Sequence, residues 1–260
     1  MGSLSRVVSD STLSCFDGKV ILVAGAACPI GLATTKLLLK HCAKLSICDS
    51  DQKGLDEIQS WFYDTLPCPD RDYHMMKTVV DVSKADEVGA WVRNTVLTYG
   101  RIDGAANVAG RIGRVGLWPT APLSDLRDET WDLVIAKNLT ATMYCLRAEL
   151  ADIQPGGSIV CVSALLDQKG TGMEAAYSVC KYGLVGLIRS AVAEASKKSI
   201  RINSVAPGLA RVENVVNSKS MPVEGTPQPE EIAKLVMFLL SENASCVTGT
   251  SFGVDGEPFR

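Results

Sequence analysis

The stretch VSALLDQKGTGMEAAYSVCK, residues 162–181, holds Tyr177 and Lys181 four positions apart. On a helix that spacing places both side chains on one face. An ammonium beside a phenol favours the phenolate and draws its pKa down from about 10 towards neutral pH. Tyr177 is thereby a candidate proton donor or acceptor, although by spacing alone most such pairs are ordinary helix surface. Upstream, where a hydroxyl partner would be expected, stand Ser163 and then Ala164. Asp167 follows three residues later, where a carboxylate can steady a cationic substrate or move a proton. Lys169, Glu174, Arg111 and Arg114 are further charges that can reach the same region or simply face solvent.

A second constellation lies near the start. VAGAACPIG, residues 23–31, reads as a strand, a tight turn and a helix start. Glycines in such a turn let the backbone approach a pyrophosphate while the helix N-terminus faces the anion. Gly25 and Gly31 fit, with Ile30 between turn and helix; Pro29 suits a first helical position but offers no N–H. Asp49 ends the next apolar run, where a carboxylate accepts hydrogen bonds from an adenosine ribose and repels a 2′-phosphate. Cys28, Ser50 and Asp51 stand at the neighbouring positions, none of them basic. The combination favours NAD(H), with NADP(H) not excluded.

The elements that must hold these residues alternate along the chain. Strand-like runs fall at 19–24, 44–49, 77–82, 104–110, 158–163, 200–206 and 250–255. Helical patterns fall at 30–42, 51–64, 84–100, about 123–153, from the Tyr177 segment to about 196, and 229–240. Continuous apolar strands separated by helices predict an α/β fold, a parallel sheet covered on both faces and doubly wound. Residues 1–17 read as a flexible N-terminal arm and 18–260 as one domain. The segment 208–228, rich in Gly, Pro, Ser and charge, reads as a loop over the carboxyl edge of the sheet, where ligands bind in such folds.

Composition narrows the function classes. The 260 residues are 47% hydrophobic, enough for one sizeable core. A formal charge of −3 gives no electrostatic reason to expect nucleic acid or an anionic membrane as partner. Apolar runs such as 235–240 are too short to cross a bilayer. The nine cysteines form no C-x-x-C pair, and with only two histidines a metal site is not expected. The odd cysteine count and the absence of a visible secretory signal suggest a reducing, cytoplasmic setting. The opening MGSLSR lacks the Ser or Thr that an N-myristoylation start wants at position six, where Arg6 stands.

Over about residues 17–256 the chain resembles the classical short-chain dehydrogenases/reductases. The matching features are GKVILVAGAACPIG, the DV of Asp81 and Val82, NVAG at 107–110, Asn138 in KNLTAT, YSVCK, RINSVAPG and VTGTSFGVDG. The resemblance implies a Rossmann-like sheet of about seven parallel strands, a nicotinamide cofactor, a small-molecule substrate and a homo-oligomer, tetramer or dimer. It implies that Tyr177 is the acid–base residue, that Lys181 lowers its pKa and binds the nicotinamide ribose, and that Asn138 holds a proton-relay water. It places Asp81 and Val82 beside the adenine with Asn107 near it, and assigns Ala109 and Gly110 to the cofactor as well. Pro207 and Gly208 then border the nicotinamide.

Three departures bear on the chemistry. The family's glycine turn has Thr and a middle Gly where this chain has Ala24 and Pro29. The catalytic Ser, thirteen residues before the Tyr, is Ala164, while Ser163 matches the preceding position. Successive strand residues point to opposite faces, so Ser163 is not expected to substitute. Losing one oxyanion donor costs about 2.7–4 kcal/mol of transition-state stabilisation, which hurts a carbonyl reductase but not a substrate that builds no oxyanion, such as an imine or iminium. In the loop after residues 206–208, Val212 stands where the family often has Thr, and the short stretch to Pro229 suggests a small lid over an open pocket. Three readings follow: an oxidoreductase acting on a hydroxyl, carbonyl or C=N group; a non-redox cyclase or isomerase of Diels–Alder type that keeps the cofactor structurally, as the altered sites of fungal alkaloid-pathway relatives suggest; and a cofactor-binding scaffold. The retained Asn138, Tyr177 and Lys181 argue against the last.

Overall fold

The computed structural model describes residues 16–66, 74–110, 121–164, 174–208 and 227–255. Seven strands, β1 (Val20–Ala24), β2 (Lys44–Asp49), β3 (Met75–Val79), β4 (Gly104–Asn107), β5 (Ser158–Val162), β6 (Arg201–Pro207) and β7 (Ser251–Val254), form one sheet. Their order is β3-β2-β1-β4-β5-β6-β7, and every pairing is parallel. The helices are α1 (Pro29–Lys40), α2 (Gln52–Thr65), α3 (Ala85–Tyr99), α4 (Asp128–Ile135), α5 (Ala141–Asp152), α6 (Ala175–Ala195) and α7 (Pro229–Leu240). This is the expected doubly wound α/β, Rossmann-like arrangement.

Strand alternation divides the core into two layers. In β1, Ile21 and Val23 face one layer with Leu38 of α1, Phe62 of α2 and Val236 of α7. Leu22 and Ala24 face the other, with Trp91 of α3, Leu146 of α5 and Ile188 of α6. Both faces of each central strand are therefore apolar, which is why β1 and β5 read as unbroken hydrophobic runs. Phe16 is buried in the first layer; residues 1–15 of the expected arm lie outside the described residues. No helix among the described residues is long and apolar enough to cross a membrane.

Helix ends follow local chemistry. Pro29 opens α1, and the Cys28 thiol caps it by accepting from Gly31 N–H. Gly100, at φ 76°, closes α3 in the left-handed conformation. Pro229 and a Gln228–Glu231 capping box start α7.

Two elements differ from expectation. The run at 77–82 yields a strand over Met75–Val79. Asp81 leaves the ladder because its N–H donates to Glu87 Oε2 and its carboxylate accepts from Ser83. The long pattern at 123–153 is not one helix: a 3₁₀ turn at Leu123–Asp125 precedes α4, and a π turn at Ala136–Thr140 separates α4 from α5. Asn138 and Thr142 bond back to Val134 O and Asn138 O, satisfying carbonyls that the wider turn releases.

Ser46 of β2 tests the packing of the second layer. Its hydroxyl accepts from Trp91 Nε1 at 2.8 Å and from Thr95 Oγ1 at 2.7 Å, all buried. Ser46→Ala leaves the indole N–H without an acceptor and is expected to cost about 1–3 kcal/mol, read as a lower urea midpoint at unchanged m-value.

Candidate active site

At the carboxyl ends of the paired strands β1 and β4 the Gly25 turn packs against Ala109, the edge at whose crevice ligands bind in such folds. Gly25 sits at φ 84°, and a Cβ there would lie 2.5 Å from Ala109 N. A Cβ on Gly31 would lie 2.0 Å from Gly25 O. Both positions therefore require glycine, and the turn folds flat between α1 and the β4 end. Gly25 and Ala26 N–H groups donate to Cys48 O, fixing the turn on β2. Ile30 puts its side chain in the core, leaving its backbone at the helix start. Asp49, half-buried at the end of β2, accepts from Ala27 N–H at 2.9 Å and Asp51 N–H at 3.1 Å. A backbone cradle that a Cβ would fill, a helix N-terminus and a carboxylate at the end of β2 fit a dinucleotide of the NAD(P)(H) type.

Along the same edge, Asp81 follows β3, and Val82 packs beside Ala109 against the second core layer. Lys137 Nζ reaches both oxygens of Asp81, at 2.6 and 2.7 Å. Burial pushes this carboxyl up, but hydrogen bonds from Lys137 and Ser83 outweigh it and hold the group at about 2. Gly208 N–H donates to Val254 O, so Pro207 and Gly208 are fixed beside the β7 end. Asn107 behaves differently: its side chain is buried and donates to Glu149 Oε2 rather than facing the crevice.

Tyr177 and Lys181 share one face of α6, as their spacing predicts, and both are buried. Lys181 Nζ stands 5.3 Å from the Tyr177 ring centroid and donates to Val162 O at 3.4 Å. A Cβ on Gly110 would lie 3.4 Å from Asn138 Oδ1 and 3.6 Å from Lys181 Nζ, so Gly110, Asn138 and Lys181 meet at one point. Asn138 Oδ1 and Tyr177 OH are buried without a hydrogen-bond partner among the described residues. Burial, then the Glu174 charge and Cys180, push the Tyr177 phenol well above the usual tyrosine value. Burial, not the expected lowering by Lys181, is the largest influence on this group.

Ala164 packs with Val134, Ala176, Tyr177 and Cys180, so a methyl group borders the phenol. Ser163 Oγ turns the other way and donates to Val205 O on β6 at 3.4 Å. Strand alternation thus acts as expected, and Ser163 offers nothing to Tyr177. Asp167, Lys169, Arg111, Arg114 and Val212 lie outside the described residues. Sequence reading missed Lys137 and Glu149, whose partners lie 56 and 42 positions away. The one local signal was a lysine directly before Asn138.

No group of residues among those described forms a metal site. The Lys137–Asp81 pair has a measurable signature in acid. A depressed carboxyl pKa contributes stability above the unfolded value of about 3.9, lost as pH falls through about 2. With the pair partly exposed, Lys137→Met is expected to remove about 1 kcal/mol at neutral pH. It should also flatten the stability loss between about pH 4 and pH 2, measured by denaturant titration.

Residues 25–256 match the family model described as "Enoyl-(Acyl carrier protein) reductase". The chain is 37% identical over 254 residues to "Short-chain dehydrogenase/reductase ABA4" of Pyricularia oryzae, covering 92% of this chain and 91% of that protein. It is 31% identical over 260 residues to levodione reductase of Leifsonia aquatica, covering 93% and 94%. The crystal structure of a short chain dehydrogenase from Mycobacterium smegmatis matches with a TM-score of 0.82 at 30% identity, over 95% of each chain. With the glycine cradle and the Tyr177–Lys181 face in place, the chain belongs to the short-chain dehydrogenase/reductase family of oxidoreductase enzymes.

Proposed function

We propose that this enzyme uses NAD(H) to reduce a carbon–nitrogen double bond in a small organic substrate. The observation that carries the reading is that Asn138 and Lys181 meet beside Gly110, with the Tyr177 ring 5.3 Å from Lys181 Nζ, while Ala164 packs in the same apolar cluster as Tyr177. Gly25, Ile30 and Gly31 would hold the pyrophosphate, and Asp49 the adenosine ribose. Asp81 and Val82 would flank the adenine, with Ala109, Gly110, Pro207 and Gly208 lining the path to the nicotinamide. Asn107 acts from behind, through β4. Bound NADH supplies the hydride.

The residues' own contribution is then proton handling and charge placement. Tyr177 is protonated at neutral pH like any phenol and is the group placed to give a proton, although burial makes it a weaker acid than a free tyrosine. It gives its proton to an imine nitrogen as the carbon gains hydride, and the product is an amine. An iminium needs no proton, since hydride neutralises its charge. Lys181 fixes the ribose and Asn138 Oδ1 accepts from a relay water that restores the Tyr177 proton. Asp167 would steady the cationic substrate. None of these steps develops an oxyanion on the substrate, so the hydroxyl missing at Ala164 is not needed to stabilise one. A second reading, reduction of a ketone, is favoured by the name levodione reductase, which specifies a diketone for that relative.

Fluorescence titration with NADH and NADPH tests the cofactor assignment. NADH should bind tighter, because Asp49 repels a 2′-phosphate; tighter NADPH binding reverses the assignment. Binding of NADH without its oxidation by any C=N or C=O probe would favour the non-redox cyclase or isomerase reading, which keeps the cofactor structurally.

Ala164→Ser tests the reaction. With cyclic imine and cyclic ketone probes, the wild-type enzyme should oxidise NADH faster with the imine. The variant should gain only on the ketone, by up to about 10²–10³-fold. Preference for the ketone in the wild-type enzyme, with a large gain on Ala164→Ser and no effect of Asp167→Asn, would return the protein to the carbonyl reductases.

A further inference from the structure

The core between the sheet and α5 holds a carboxyl group that the proposed chemistry does not use. Glu149 of α5 is 0% exposed. Its Oε2 accepts a 2.8 Å hydrogen bond from Nδ2 of Asn107, the last residue of β4. Three buried thiols act on or respond to it: Cys145 on its own helix, Cys48 on β2 and Cys161 on β5. Burial raises all three, so they stay neutral and bring no charge. Lys181 of α6 is the charged group beyond Cys161. From α3 the same layer receives Val88, Trp91 and Val92, all apolar.

Two buried atoms of this pair have no hydrogen-bond partner among the described residues: Glu149 Oε1 and Asn107 Oδ1. With Glu149 ionised, both are acceptors and neither can satisfy the other, a costly arrangement in an apolar core. One proton on Oε1 makes it a donor. A carboxyl and an amide already joined by the first bond can then close a second, Oε1–H to Oδ1, parallel to it.

We propose that Glu149 is a neutral carboxylic acid joined to Asn107 by two hydrogen bonds, and that it positions the β4 end, Val108–Gly110, behind the cofactor crevice. Val108 N–H continues the strand by donating to Ala24 O, Ala109 abuts the Gly25 turn, and Gly110 lies against Asn138 and Lys181. Holding Asn107 therefore holds the wall on which both halves of the site close. Glu149 touches none of the reacting atoms and is a positioning residue. Burial pushes its carboxyl up to about 7. A raised folded-state pKa gives stability that is whole below the unfolded glutamate value of about 4.3 and is lost as pH rises through the folded value.

The discriminating variant is Glu149→Gln. Its amide makes the same two bonds with Asn107 but carries no titratable proton. The wild-type melting temperature should fall between about pH 5 and pH 8, and NADH affinity by fluorescence should weaken several-fold over the same range; Glu149→Gln should remove both dependences. Infrared difference spectra of the wild-type protein should show a protonated carboxyl band at about pH 6, where ordinary glutamates are ionised, that is gone by about pH 8. The same pH slopes in both proteins, or no such band, would overturn the proposal. Melting that titrates while NADH affinity does not would overturn the positioning role. Should the variant fail to fold, the infrared band decides. If NADH binds at no pH, the cofactor reading fails, while melting and the band still judge the Glu149 proton.

Discussion

The close approach of two chain segments without side chains governs this structure. At the carboxyl ends of β1 and β4, Gly25 lies so near Ala109 N that a Cβ would stand at 2.5 Å. Gly31 lies equally hard against Gly25 O. The turn can then lie flat, α1 can begin beside it, and the crevice opens along the strand ends. Larger residues there would lift the turn and separate the nucleotide end of the site from Lys181 and Asn138. Pro29 fits this geometry because the first helical position needs no N–H. The departure from the family's glycine pattern at Pro29 thus leaves the backbone path intact.

The other end of the crevice is set by what surrounds Tyr177. The phenol is buried between α4, α6 and the end of β5, with Ala164 and Cys180 as neighbours. Burial and the Glu174 charge both disfavour the phenolate. In such a setting the side chain stays protonated and is a weaker acid than a free tyrosine. A serine hydroxyl at residue 164 would have added a polar neighbour, and the remaining one, Ser163, just past β5, turns to Val205 O on β6 instead. One substitution thus changes both the donor set for substrate and the polarity around the acid.

Polar side chains placed behind the site tie it to the rest of the fold. Lys137 spans from the π turn to Asp81, so the segment after β3 and the turn that presents Asn138 are joined by an ion pair. Glu149 does the corresponding task for β4 from within the core. Neither residue faces the crevice with a free charge of its own. Both fix the backbone on which the crevice residues stand, and precision of about half an ångström is what such a constellation needs.

The alternation of apolar runs with helical patterns determined the doubly wound parallel sheet, because a strand buried on both faces has no other stable setting. Local chemistry also fixed β2 at Lys44–Asp49 and α7 at Pro229–Leu240, where cap and turn residues mark the ends. The Tyr177–Lys181 face and the opposite orientations of Ser163 and Ala164 followed from helical and strand periods alone. Tertiary structure decided the rest. Asp81 left its strand to meet Glu87, Ser83 and Lys137. The long pattern after Leu123 broke around Asn138, whose side chain competes for a helix carbonyl. Asn107, legible only as part of a motif near the cofactor, turned inward to Glu149. The Tyr177 pKa rose rather than fell, because burial depends on what packs around α6 and not on the distance to Lys181 along it. Periodicity reports which face a residue occupies; it carries no information about which distant charge or amide will meet it there.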